Sequence, residues 1–168
     1  MFRLVFLSLL VSGSLSGSGQ TDVVDYLKEN QNDFQFKYVS ESMIRAVCVI
    51  ADSTGSFAEA TKDVRRIVYF DSEQDAATNS EMLKEIDKRM NELGFEELMT
   101  MSNQGQNVKV ASLSGKKEVL GIVLQQDTSL SYLEVVGMVD LQKAIQMFSD
   151  PTFQDMVGDF DLTNLIGL

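Results

Sequence analysis

Apolar positions recur along this chain with two alternating periods. In DVVDYLKENQ, Val23, Val24 and Leu27 fall on one side of a short helix. FQFKYV sets Phe34, Phe36 and Tyr38 against Gln35 and Lys37, the period of a strand. SESMIRAVCVIA returns to helical spacing: Ser40 stands at the N-cap, and Met43, Ile44, Val47, Cys48, Ile50 and Ala51 share a broad face, which predicts a core helix. DSTGSFAEATKD supplies a loop with room for one helical turn, and VRRIVYFD is a strand.

The clearest helix is NSEMLKEIDKRMNELG. Thr78 and Glu81 have the spacing of a capping box, and Met82, Leu83, Ile86, Met90 and Leu93 form the apolar stripe. Glu85 faces Arg89 one turn on, and Gly94 closes the end. FEELMTMSN then starts a run of β-branched and apolar segments broken by the turns NQGQN, SGKK and QQDTS. Four consecutive strands with such short loops pair antiparallel, because parallel pairing needs a long crossover. LQKAIQMFSD follows as a helix with Leu141, Ala144, Ile145 and Phe148 aligned. The order predicts an α+β domain: a mainly antiparallel sheet of about five to six strands, including a C-terminal four-strand meander, with helices packed on one face.

Beyond that helix, DPTFQDMVGDFDLTNLIGL places Phe153, Met156, Val157 and Phe160 at i, i+3, i+4 and i+7, with Asp150, Asp155, Asp159 and Asp161 on the polar side. This is an acidic amphipathic tail. Docking on the chain's own sheet is the first expectation for it, and capture of a partner through those four apolar residues is the second. Its acidic polar face disfavours membrane attachment.

At the other end, MFRLVFLSLLVSGSLSGSGQ has one positive charge at Arg3, an apolar run from Leu4 to Val11, and then small residues. That is the layout of a secretory signal peptide, too short to span a membrane. Ser18 stands where a lipoprotein box needs cysteine, so lipid anchoring is not expected and the mature protein is placed in the periplasm or outside the cell. The divisions are residues 1–19 as signal peptide, 20–149 as one α+β domain, and 150–168 as the tail, which suits 168 residues with 44% hydrophobic content.

Charge narrows the function further. With 25 acidic and 14 basic residues the net charge is −11, which repels phosphate backbones, so no nucleic-acid partner is expected. The chain has no histidine, which removes Ser-His and Cys-His nucleophilic systems and the common zinc ligand sets. The single Cys48 lies in an apolar run and reads as a packing residue. Asp71, Glu73 and Asp75 alternate as in a calcium loop, but Ala76 and Met82 occupy the positions that need glycine and a bidentate glutamate. Glu96 and Glu97 are neighbours on a strand and point to opposite sides of it. No catalytic, cofactor-binding or metal-ligating residue is therefore singled out, and no cofactor is expected.

The segments FKYVSESMIRAVC, VRRIVYF, ELGFEELMTMSNQGQNVKVASLSGKKEVLGIVL and YLEVVGMVDLQKAIQMF together resemble domain of unknown function 4252, a family of exported bacterial envelope proteins. The similarity runs from Gln35 to Phe148, most specifically over Gly94 to Gly115, where GFEELMTMSNQGQNV matches a phrase of the type GYEELMRVKDGGENV. The resemblance implies fold and compartment, and carries over no catalytic residue. The expected function is a non-enzymatic exported binding or interaction module of the cell envelope, with an envelope protein as partner. The alternatives are a hydrolase using carboxylates clustered in space, or a structural, dimerising envelope protein.

Overall fold

In the computed structural model, residues 21–30, 35–50, 52, 54–103, 105–115, 118–126, 128–137 and 141–153 are described. The elements run α1 (Asp22–Glu29), β1 (Gln35–Ser40), α2 (Glu41–Ile50), α3 (Ser56–Ala60), β2 (Arg66–Ser72), α4 (Ala76–Leu93), β3 (Glu96–Asn103), β4 (Gln106–Leu113), β5 (Val119–Gln126), β6 (Ser129–Val136) and α5 (Leu141–Phe148). The segment proposed as a signal peptide and the tail residues Met156, Val157 and Phe160 lie outside the described residues.

Six strands form one antiparallel sheet in the order β1-β2-β6-β5-β4-β3. The meander β3 to β6 is present as the turn spacing predicts, and β6 then pairs with β2 rather than ending the sheet. Both strands at that junction are apolar on both sides, so each face must be covered.

The helices therefore divide between two faces, a correction to the one-faced arrangement expected from the sequence. Along β6, Leu133 and Val135 point into a core with Ile44 of α2, Phe57 of α3, and Ala144, Met147 and Phe148 of α5. Leu130, Tyr132 and Val136 point the other way, against Val23, Val24 and Leu27 of α1 and Met82, Ile86 and Met90 of α4. β5 alternates in the same manner, with Leu120, Ile122 and Leu124 on the first side and Val119 and Val123 on the second. Burying each such side chain contributes roughly 1.5–3 kcal/mol before ordering costs.

α4 has its predicted stripe, but its start differs from the expected capping box. The helix begins at Ala76, and Asp75 is the N-cap: its carboxylate accepts from the backbone N–H of Ala77 at 3.0 Å and of Thr78 at 3.1 Å. Aspartate matches serine or threonine as an N-cap, so the helix starts at the first good acceptor the chain offers. Asn79, fully buried, is satisfied by the carbonyls of Gln74 and Thr128 and by the Ser72 hydroxyl, which anchors α4 to β2 and to the β5–β6 turn. Gly94 ends the helix at φ 83°.

The sheet is locked at one end by Gly137. Its N–H donates to the Glu118 carbonyl at 2.7 Å, while the Arg65 N–H donates to the Val136 carbonyl at 2.8 Å, so the exit of β6 is tied to both neighbouring strands. Gly137 has φ 96°, and a Cβ there would lie 2.1 Å from the Asp63 carbonyl oxygen. No other residue fits without moving backbone.

Candidate functional site

Three places in the described residues carry more than fold: a buried ionic network, a polar cleft, and the outer face of α2.

The network sits under the start of α1. Arg66 on β2 and Glu134 on β6 point toward the α1/α4 side, and the guanidinium donates to Glu134 Oε1 at 2.7 Å. Glu134 Oε2 accepts from the Thr21 hydroxyl and, at 3.2 Å, from the Tyr132 hydroxyl. Thr21 is also the N-cap of α1, so one hydroxyl joins the helix start to the buried acid. Glu134 and Tyr132 are fully buried and Arg66 nearly so. Burial, and after it the adjacent Glu134 carboxylate, pushes the Tyr132 phenol well above its ordinary value of 10. A fully enclosed acid bonded to three donors is positioned to hold α1 on the sheet rather than to meet a substrate.

The cleft opens at the Gly137 end of the sheet, with a volume of about 490 Å³. Its lining mixes the acids Glu41, Asp63 and Glu118 with the bases Lys62 and Arg65. Lys62 is already paired with Glu59 at 2.6 Å, a bond that raises its pKa, and Asp63 lies 3.5 Å from Lys143. The result is a solvated surface of both signs, without a convergent set of donors or acceptors.

Other acids are likewise in structural bonds. Asp52 accepts the N–H groups of Thr54, Gly55 and Ala58 and so builds the start of α3, with Ala58 the strongest contributor to a lowered carboxyl pKa. Asp71 accepts from Ser131 at 2.6 Å, and Asp75 caps α4. Glu96 and Glu97 pair with Ser112 and Ala111 on opposite faces of the sheet, just before a bulge that leaves Leu98 exposed. Among the described residues, no three of His, Cys, Asp and Glu come together in a way that could hold a metal ion.

α2 departs from the core helix its periodicity predicts. Ile44 alone of its residues is fully buried, while Val47 and Cys48 are half-buried against the core. Cys48 Sγ lies 3.6 Å from the Thr61 hydroxyl. The opposite arc is also apolar: Met43 is 54% exposed, Val49 87% and Ile50 85%, with exposed Ala46 between them. At 100° per residue these four span about a third of the helix circumference. The reason for the difference is lateral position. α2 packs beside β1, an edge strand, and reaches the core through one side only.

Of the tail residues singled out by the sequence, Phe153 is placed. It is fully buried beside Phe148, with ring centroids 5.2 Å apart, in the same core as Ile44. Asp150 shapes the approach, accepting from the Thr152 N–H at 2.9 Å and from the Ser56 hydroxyl at 2.8 Å. The signal for the α2 face is that the apolar residues of MIRAVCVIA occupy more of the helix than one buried side can take, with Arg45 its single charged residue.

Among the described residues, no helix is long and apolar enough to cross a membrane. The family model described as Domain of unknown function (DUF4252) matches residues 26–147, well over half of the chain, and the chain belongs to that family. No curated protein matches it.

Proposed function

We propose that this member of the DUF4252 family is a non-enzymatic interaction module exported to the cell envelope, and that the outer face of α2 is its contact surface. The observation that carries the reading is that arc of Met43, Ala46, Val49 and Ile50, apolar and exposed on a helix whose other side already faces the core. Exposed apolar residues that stand singly mean little, whereas four on one arc mark a surface made to be covered. Glu134, Asp52 and Asp75 are committed to structural bonds, which supports binding over acid–base chemistry. The order of charge, apolar run and small residues before Gln20 supports export.

The test pairs two measurements. Immobilised mature chain is exposed to envelope extract beside a Met43→Asp/Ile50→Asp variant, and both are run against a panel of ester, glycoside and phosphoester substrates. A stoichiometric companion held by the first and lost from the second, with no turnover by either, is the expected result. Turnover by both chains with no companion would replace this reading with a hydrolase.

A further inference from the structure

We propose that the far edge of the sheet, strand β3, takes up an extended basic segment of a partner protein as a further strand. This edge lies across the sheet from β1 and α2, so the proposal stands independently of the α2 reading.

An edge strand has one side bonded to its neighbour and one side whose backbone N–H and C=O groups meet no strand. Among the described residues β4 is the single strand beside β3, which leaves the other side open. Such edges are ordinarily blunted by lysine, proline or a bulge. The sequence EELMTMSN contains neither lysine nor proline. A bulge is present, but it falls between Glu97 and Met99, and Met99 to Asn103 continue in unbroken register with β4. These residues offer a regular ladder, and the main chain that satisfies a ladder is another extended strand.

The side chains say what that strand should carry. On the α4 side a trough of about 320 Å³ lies beside β3, with Leu83 and Val123 as its apolar part and Glu97 and Thr100 on the β3 side. Its basic lining residue, Lys109, is already joined to Asp87 at 2.8 Å. Glu97 is exposed and, among the described residues, forms no ion pair. A lysine or arginine fits this combination, its methylene stem over the apolar part and its charge at the Glu97 carboxylate. On the other side of β3, Met99 and Met101 are half-buried against the first core, so the residues alternating with the bases should be apolar. A second copy of β3 would bring Glu96 and Glu97 and no base, the wrong charge for the trough. The net charge of −11 likewise favours a basic partner.

The probe is a blocked peptide, acetyl-Thr-Val-Lys-Val-Arg-Val-Thr-amide, titrated into isotope-labelled mature chain and followed by amide resonances. Two analogues run beside it, one with Glu in place of Lys and Arg, and one with alternate backbone nitrogens methylated. The edge contact predicts shifts across residues 96–103 and none across 41–50, at least tenfold weaker binding of the acidic analogue, and no binding of the methylated one. Glu97→Lys, checked for an unchanged unfolding temperature, should weaken the basic peptide at least tenfold and leave the acidic analogue no weaker. Equal affinities of the basic and acidic peptides overturn the proposal, as do shifts at 41–50 alone or none at millimolar peptide. Outer-side amides of β3 already protected from exchange in the free chain overturn it too. Protection lost on dilution would then assign the edge to a second copy, and protection kept on dilution to the chain itself. A companion held through α2 with a silent β3 overturns this proposal and leaves the α2 reading standing.

Discussion

Glu134 holds Arg66 across the β6–β2 pair at 2.7 Å, inside the core and beneath the first turn of α1. The carboxylate has no solvent exposure, so its charge is balanced by Arg66, Thr21 and Tyr132 alone among the described residues. Removing one partner leaves the other charge buried, at a cost of about 3–5 kcal/mol. Arg66→Ala and Glu134→Ala should each lower the unfolding free energy by that amount in urea titrations. The double change Arg66→Met/Glu134→Leu should lose much less than the sum of the two. If the single variants prove as stable as the parent, the network is not what holds α1 down.

Gly137→Ala tests the lock at the sheet end. The added Cβ would meet the Asp63 carbonyl at 2.1 Å with φ at 96°. A loss of about 3 kcal/mol or more is expected, since strain and a backbone clash add. Gly94→Ala has an unfavourable φ of 83° but open space around the new methyl, and should lose only about 1 kcal/mol. Thermal unfolding of the two variants side by side checks the ranking.

Acid should weaken the helix starts. Hydrogen bonds to the Asp52 and Asp75 carboxylates hold both below their ordinary value of 3.8. A lowered folded-state value stabilises above the unfolded value, and that stabilisation is lost as pH falls through the folded one. Stability should thus decline as pH drops below about 4. Asp52→Asn/Asp75→Asn keeps an acceptor at each cap without the titrating charge, so the acid limb of its melting-temperature profile should be flatter than the parent's.

Phe153 belongs to the core rather than to a free tail. Phe153→Ala should cost about 3–5 kcal/mol, the range for a buried phenylalanine. A chain ending after Ser149 should melt several degrees below one ending after Phe153, as differential scanning calorimetry would show. Equal melting temperatures would place Phe153 outside the folding unit.

Much of this fold is legible in the sequence, and the failures have one cause. Period alone finds α4, because Met82, Ile86 and Met90 repeat on a helix long enough to average out exceptions. The turn signals likewise fix β3 to β6 as a meander. Periodicity says that a face is apolar, but not what it faces. VLGIVL and YLEVV are nearly unbroken apolar runs, the mark of strands covered on both sides, yet a meander favoured a one-faced reading. The same ambiguity made α2 a core helix, since the arc of Met43, Val49 and Ile50 resembles depth until β1 is seen to be an edge strand. In α5 the buried set is Ala144, Met147 and Phe148, with Ile145 only half-buried, a rotation that spacing does not resolve. The Thr21–Glu134–Arg66 network was invisible because its members are 113 and 68 residues apart.

The central claim is that the outer face of α2 is a surface in contact. Photo-cross-linking from an aryl azide side chain in place of Val49, in the intact cell, asks this most directly, with Lys84 on the exposed side of α4 as the comparison position. The account predicts an adduct from position 49, mapped by mass to an envelope protein, and none from position 84. No adduct from position 49, or equal yields from both positions, would contradict it.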